Sequence, residues 1–181
     1  DYYFVEALLR YIRLTNRQPL LTHTQTGIDK DKWVVEDHSG KAVFHTKGDT
    51  LEISTPKGLT VWYKPRLTGN YEISYHACMP MQGDPNARLS DLNCFWGAND
   101  PQHPDNLFSR GIYRKGIFQR YKTLTLFYVG YGGNYNSTTR FRQYYSGLPG
   151  QNDKEVRPVI KEYTDSEHLL KAGKWYNIRI V

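Results

Sequence analysis

Sulfur is scarce in this chain: its 181 residues include two cysteines and two methionines. With only Cys78 and Cys94 there is no CxxC pair, no zinc-ligand spacing and no disulfide framework. Both lie in strand-like apolar runs, where buried thiols serving as small hydrophobes are expected ahead of a disulfide between them. No HExxH run occurs, and no apolar stretch approaches the length that crosses a bilayer. No basic run exceeds two residues, and helix-turn-helix, zinc-finger and ribonucleoprotein signatures are all missing. Nucleic acid is therefore not the expected partner, although the formal net charge is +6 and the pI is near 9.2. That charge fits a polyanion of another kind. No signal peptide is visible, but the chain starts at Asp1 without a methionine, which reads as a processed start and leaves export open.

What the chain does have is tyrosine, 15 of them, with 4 tryptophans, 15 glycines and 9 prolines. Aromatic residues favour strands, while glycine and proline supply the turns between them, so the expected class is all-β. The length is enough for one ordinary domain with a full core. Only the opening departs from this. Val5, Leu8, Leu9 and Ile12 recur at helical spacing, which predicts a short N-terminal α-helix ending near Thr15 and Asn16, with Pro19 beyond. Residues 1–18 thus read as a docking helix or the tail of an upstream domain, 19–32 as a linker and 33–181 as the β domain.

Strand signals follow in series: 33–36, 42–45, 50–54, 59–63, 71–78, 91–96, 123–131, 139–145 and 175–181. A long segment, 97–119, reads as a functional loop, and 149–165 as a polar excursion. The final strand alternates to the last residue with nothing after it to pair with. Proteins cover such bare edges, so the natural protein is expected to continue past a C-terminal truncation.

The run from Tyr128 to Tyr145 carries the functional signal. It reads as two strands joined by a Gly/Asn turn, and its second strand sends Arg140, Arg142 and Tyr144 to one face. Two guanidiniums about 7 Å apart on that face suit carboxylates, which arginine forks bind bidentately. Tyrosine planes suit the C–H faces of sugars. Tyr131, Asn134 and Tyr135 on the hairpin, with Asn93 and Asp91 on the preceding strand, complete the expected binding surface. The expected partner is an acidic polysaccharide or oligosaccharide. The glycines of the hairpin serve its turn, since the strand-to-helix context of a phosphate loop is missing.

The motifs at 70–76, 90–96, 128–136, 138–142 and 174–180 resemble a jelly-roll domain family of unknown function, over roughly Trp33 to Val181. That family belongs to the concanavalin A-like lectin/glucanase group and occurs in polysaccharide-degrading Bacteroidetes. The resemblance implies a concanavalin-like jelly-roll β-sandwich, here lacking its last strands, in a periplasmic or extracellular protein. The opening, Asp1 to Tyr11, is similar to the closing helix of unsaturated glucuronyl or rhamnogalacturonyl hydrolases. That second likeness implies a hydrolase domain upstream in the same polypeptide, carrying its own catalytic carboxylates.

Two functions then stand side by side. One is a uronate lyase working by β-elimination, with Arg140 or Arg142 and Asn93 clamping the carboxylate, Tyr144 donating a proton, and His76 or His103 acting as base. A histidine can serve only within about 8 Å of the arginines, through a direct contact or one water. The other is a non-catalytic carbohydrate-binding module appended to a glycoside hydrolase. Hydrolysis by this domain itself is disfavoured: it needs two carboxylates flanking the bond, and Asp91 stands alone on its strand with Glu72 on another. No cofactor is expected. A structural calcium ion would draw on Asp84, Asp100 or Asp105 in loops, without a supporting ligand spacing.

Overall fold

The structure is a computed structural model that describes residues 6–12, 28–81, 83–148 and 150–181. Among them, every strand pair is antiparallel. The front sheet has the order β10-β9-β8-β7, formed by Val159–Tyr163 (β10), Thr138–Tyr145 (β9), Thr125–Gly132 (β8) and Leu92–Asn99 (β7). The back sheet has the order β1-β6-β11, formed by Glu6–Ile12 (β1), Ile73–Cys78 (β6) and Trp175–Ile180 (β11). Two ribbons complete the set. Trp33–Asp37 (β2) pairs with Leu59–Tyr63 (β5), and Val43–Lys47 (β3) pairs with Thr50–Ser54 (β4).

Alternation along the front sheet decides what lies where. Leu92 and Tyr131 are cross-strand partners, and they pack on Ala77, Met79, Leu170 and Tyr176 to close an apolar layer between the two sheets. Trp96, Phe127 and Phe141 stack on the same side, with Trp96 centred 5.7 Å and 5.9 Å from the other two rings. The chain is thus an all-β sandwich. On the opposite side of the front sheet, Phe95, Tyr128 and Tyr144 meet Trp62 of β5 and Tyr121 in a second aromatic cluster. Both cysteines are thiols, and burial pushes that of Cys94 up, so Cys94 is not a ready nucleophile.

The segment expected as a long loop is built otherwise. After β7 the chain forms three short turns, Leu107–Arg110, Gly111–Arg114 and Phe118–Thr123. They lie over the second aromatic cluster. Their anchor is Arg114, whose fully buried guanidinium donates from Nη2 to Glu36 Oε1 at 2.7 Å and to the Leu107 carbonyl at 2.7 Å. The Tyr121 hydroxyl donates to the other Glu36 oxygen at 2.5 Å. Burial and the Glu36 charge push the Tyr121 phenol well above its usual range, so it stays a donor.

Two expectations are corrected. The predicted N-terminal helix is strand β1 over Glu6–Ile12, paired along β6 with a bulge between Leu9 and Tyr11. A short isolated helix is marginal, whereas β6 offers this segment a row of backbone partners. The bulge shifts the register, so helical apolar spacing does not preclude a strand. Residues 1–5 and 13–27, the rest of the expected helix and most of the linker, lie outside the described residues. Within the expected polar excursion, Val159–Tyr163 forms the edge strand β10. Val159 and Ile160 are exposed at 43% and 51%, so the buried-exposed alternation that reveals a strand is missing there.

Candidate functional site

The hairpin of β8 and β9 turns on Gly132 and on three consecutive left-handed residues, Asn134, Tyr135 and Asn136. Bulky side chains seldom take this conformation, and the turn is held by bonds at both ends. The Asn136 amide donates to the Leu170 carbonyl at 3.0 Å and accepts the Leu170 N–H at 2.8 Å. Tyr135, 79% exposed, lies under the Arg88 guanidinium at 4.2 Å.

From this turn, cross-strand register builds two polar rows on the side of the front sheet that faces away from the back sheet. The first runs Asn93, Gly130, Arg140, Glu162. The second contains Phe95, Tyr128 and Arg142. Strands lie about 4.8 Å apart, so the Asn93 and Arg140 backbones stand about 10 Å apart. Gly130 leaves the middle of the first row without a side chain, and the Tyr128 ring occupies that space while its hydroxyl donates to Asn93 at 3.0 Å. A Cβ on Gly130 would come within 2.0 Å of that hydroxyl and 2.6 Å of the ring. Because Tyr128 is buried, Gly130→Ala is expected to lose about 1–3 kcal/mol in urea denaturation. An unchanged midpoint would mean that the ring has room to move.

Three guanidiniums converge beside these rows. Arg140 is ion-paired to Glu162, and Arg157 to Asp153 at 2.5 Å. Arg142 donates to the Arg157 carbonyl at 2.6 Å, and among the described residues it has no carboxylate within ion-pair distance. Its pKa is pulled below the usual arginine value by burial and by the like charges of Arg157 and Arg140, against the opposing influence of Tyr144. It is a half-buried cation in want of an anion.

A cavity of about 700 Å³ runs along β7. Both faces of that strand border it, Asn93 and Phe95 on one side and Leu92 and Cys94 on the other. Trp33 and Tyr63 of the β2–β5 ribbon form part of its wall, their rings 5.2 Å apart edge to face. Apolar walls with a few polar groups are the usual composition of a ligand pocket. Asn93 borders the cavity and also ends the arginine row, so the two features are contiguous.

The structure brings Arg140, Arg142, Asn93 and Tyr144 to one face of the front sheet, as expected, and separates the rest. Tyr144 is 1% exposed in the aromatic cluster, and burial raises its pKa. Its hydroxyl approaches Arg157 without a well-aligned bond. It is a core residue, out of reach of a polymer. Tyr131 points the opposite way, into the layer between the sheets, where its hydroxyl donates to the Leu169 carbonyl. Asp91 takes a left-handed conformation at the start of β7 and accepts from the Ser90 hydroxyl, with Arg88 at 3.7 Å. Asn134 reaches Thr138 across the turn.

Neither histidine proposed as a base meets the arginines. His76 alternates with Tyr75 and Ala77, which face the layer between the sheets, so it lies on the outer side of the back sheet. Packed sheets stand about 10 Å apart, which puts it beyond the whole sandwich. His103 lies past the far end of β7, pairing with Asp100 at 3.3 Å. Asn93 and Asn99 alone are about 20 Å apart along that strand. A histidine close to β9 is His168, whose carbonyl accepts from the Thr139 hydroxyl and whose ring is stacked on Tyr163 at 4.0 Å and bonded to Asp165 at 2.7 Å. Tyr163 pairs with Thr139, one residue out of phase with Arg140, so this group serves the other face. The sequence did not single out His168, Arg157 or the Arg114–Glu36 pair, because long-range partners leave no local spacing. Asp84, Asp100 and Asp105 do not converge, and among the described residues no three His, Cys, Asp or Glu side chains could hold a metal.

Residues 53–181 match the family described as Domain of unknown function (DUF6250). The chain belongs to the DUF6250 family. No curated protein and no solved structure matches it. The DUF6250 match covers β5 through β11 and so takes in both polar rows, Arg142 and most of the cavity wall. No helix among the described residues is long and apolar enough to cross a membrane.

Proposed function

We propose that this DUF6250 domain is a concanavalin-like jelly roll that binds an acidic, uronate-containing glycan outside the cytoplasm, as a carbohydrate-binding module. The observation that carries this reading is Arg142. It is partly buried, flanked by Arg140 and Arg157, and without a carboxylate partner among the described residues. A desolvated guanidinium in that position is relieved by a ligand carboxylate, which it can grip with two parallel N–H bonds. The Arg140–Glu162 pair does not close the site, because its side chains are 29% and 38% exposed and such pairs contribute little. Asn93, held by Tyr128 at the cavity rim, supplies neutral hydrogen bonding about two strands away, where a neighbouring sugar unit would lie.

Binding is favoured over elimination because His76 and His103 both lie away from the arginines and Tyr144 is in the core. Calorimetry with polygalacturonate tests the reading. Arg142→Gln is expected to weaken affinity about tenfold or more, the loss for a charged bidentate contact, while Arg179→Gln on the back sheet leaves it unchanged. Equal affinity in both variants would overturn the site. Ultraviolet absorbance from unsaturated uronate in the same mixtures would restore the lyase reading.

A further inference from the structure

A second concentration of positive charge lies at the end of the front sheet where β8 begins, about 25 Å from the hairpin at eight residues of strand. Here Arg110 and Arg120 both stack on the Tyr113 ring, at 4.5 Å and 5.3 Å, and Arg120 also donates to the Tyr113 carbonyl at 2.7 Å. Lys115 follows in the same turn. Lys57 and His38 approach from the β2–β5 ribbon, whose backbone meets the turn at Gly116. Among the described residues, none of Arg110, Arg120, Lys57 and Lys115 has a carboxylate within ion-pair distance. Two acids of the adjoining ribbon are occupied. Glu36 is buried under Arg114, and Asp37 accepts the N–H groups of Ser39 and Ala42.

We infer that this face is a second binding surface for acidic polysaccharide, independent of the Arg142 site, with Arg110, Lys115, Arg120 and Lys57 as its phosphate-free anion contacts and His38 at its margin. The cations are mounted on a rigid base, because the buried Arg114–Glu36 pair and the close approach at Gly116 fix the turn that bears them. Glycan carboxylates or sulfates fit better than nucleic acid, since the aromatic ring present is already stacked by guanidiniums and offers no platform for bases. Ile112 is 92% exposed beside them, but one apolar side chain is too little to hold a membrane. The charge imbalance also shows in His38, whose pKa is held below the usual histidine value by partial desolvation and then by the charges of Lys57, Lys115 and Arg120.

A polyanion seated there neutralises those charges, so it raises the His38 pKa, and affinity grows as pH falls through the histidine range. The test follows the His38 ring signals by NMR through pH titrations with and without polygalacturonate. The wild-type chain is expected to show an upward shift of about half a unit or more. The shift persists in Arg142→Gln and vanishes in R110Q/K115Q, whose log-affinity against log-salt slope also falls by roughly one to two. The two sites can therefore fail separately. Lys115 is exposed and Arg110 and Arg142 are half-buried, so an unchanged melting temperature is required of each variant to confirm the fold. No movement of His38 in the wild type, or a shift that survives in R110Q/K115Q, overturns the proposal. So does a response to duplex DNA or phosphatidylglycerol vesicles at lower concentration than to polygalacturonate.

Discussion

Replacing Arg114 with methionine is expected to destabilise the domain by about 3–5 kcal/mol, measured by urea denaturation at neutral pH. The guanidinium has 0% exposure and Glu36 has 2%, so neither charge can turn to water when its partner is lost. Without Arg114, Glu36 keeps only the Tyr121 hydroxyl among the described residues, and Asp100, also buried, loses a guanidinium 3.8 Å away. The Leu107 carbonyl loses its donor as well. The pair joins β2 to turns that are 78 residues further along the chain, so its removal frees the whole cover of the second aromatic cluster. A paired Glu36→Leu/Arg114→Met chain is expected to lose less than the sum of the single changes, because no unpaired glutamate remains. A single-mutant loss under about 1 kcal/mol would show that water screens the network.

The second large effect is at Gly116. Its φ is +68°, and a Cβ would stand 2.4 Å from the Gly58 carbonyl oxygen and 2.6 Å from that of Glu36. Both obstacles are backbone, so no rotamer change relieves the clash, and the left-handed conformation adds its own penalty for any side chain. Gly116→Ala is expected to lose about 2–4 kcal/mol, which for a domain of this size is a fall in Tm of roughly 5–15 °C. Moving this turn also moves Lys115 away from His38, so the like-charge effect on His38 weakens even where the protein stays folded. Gly173→Ala is the control. It too has a positive φ, +67°, but its Cβ would meet nothing within 4 Å, so only the smaller conformational penalty applies.

Strand chemistry was legible wherever one face of a strand is buried and the other is not. Thr50–Ser54 alternates buried and half-buried, and Thr125–Gly132 does so across its whole length, so period-two patterning located both. The hairpin that places Arg140, Arg142 and Asn93 on one face was legible for the same reason, since register follows from alternation once strands are paired. Patterning failed where both faces are exposed, as in β10, and where a bulge shifts the phase, as in β1.

The chain's own order of residues determined the all-β class, the hairpin, and which arginines share a face, because these depend on neighbours two residues apart. Only the tertiary structure decided that Tyr144 is core, that His76 and His103 stand far from the arginines, and that among the described residues Arg142 lacks a carboxylate while Arg140 has one. It also decided that Glu36 and Arg114, 78 residues apart, hold the surface cations in place. Exposure and ion pairing are set by groups that meet across the fold, and a pattern along the strand carries no information about what another strand brings to it.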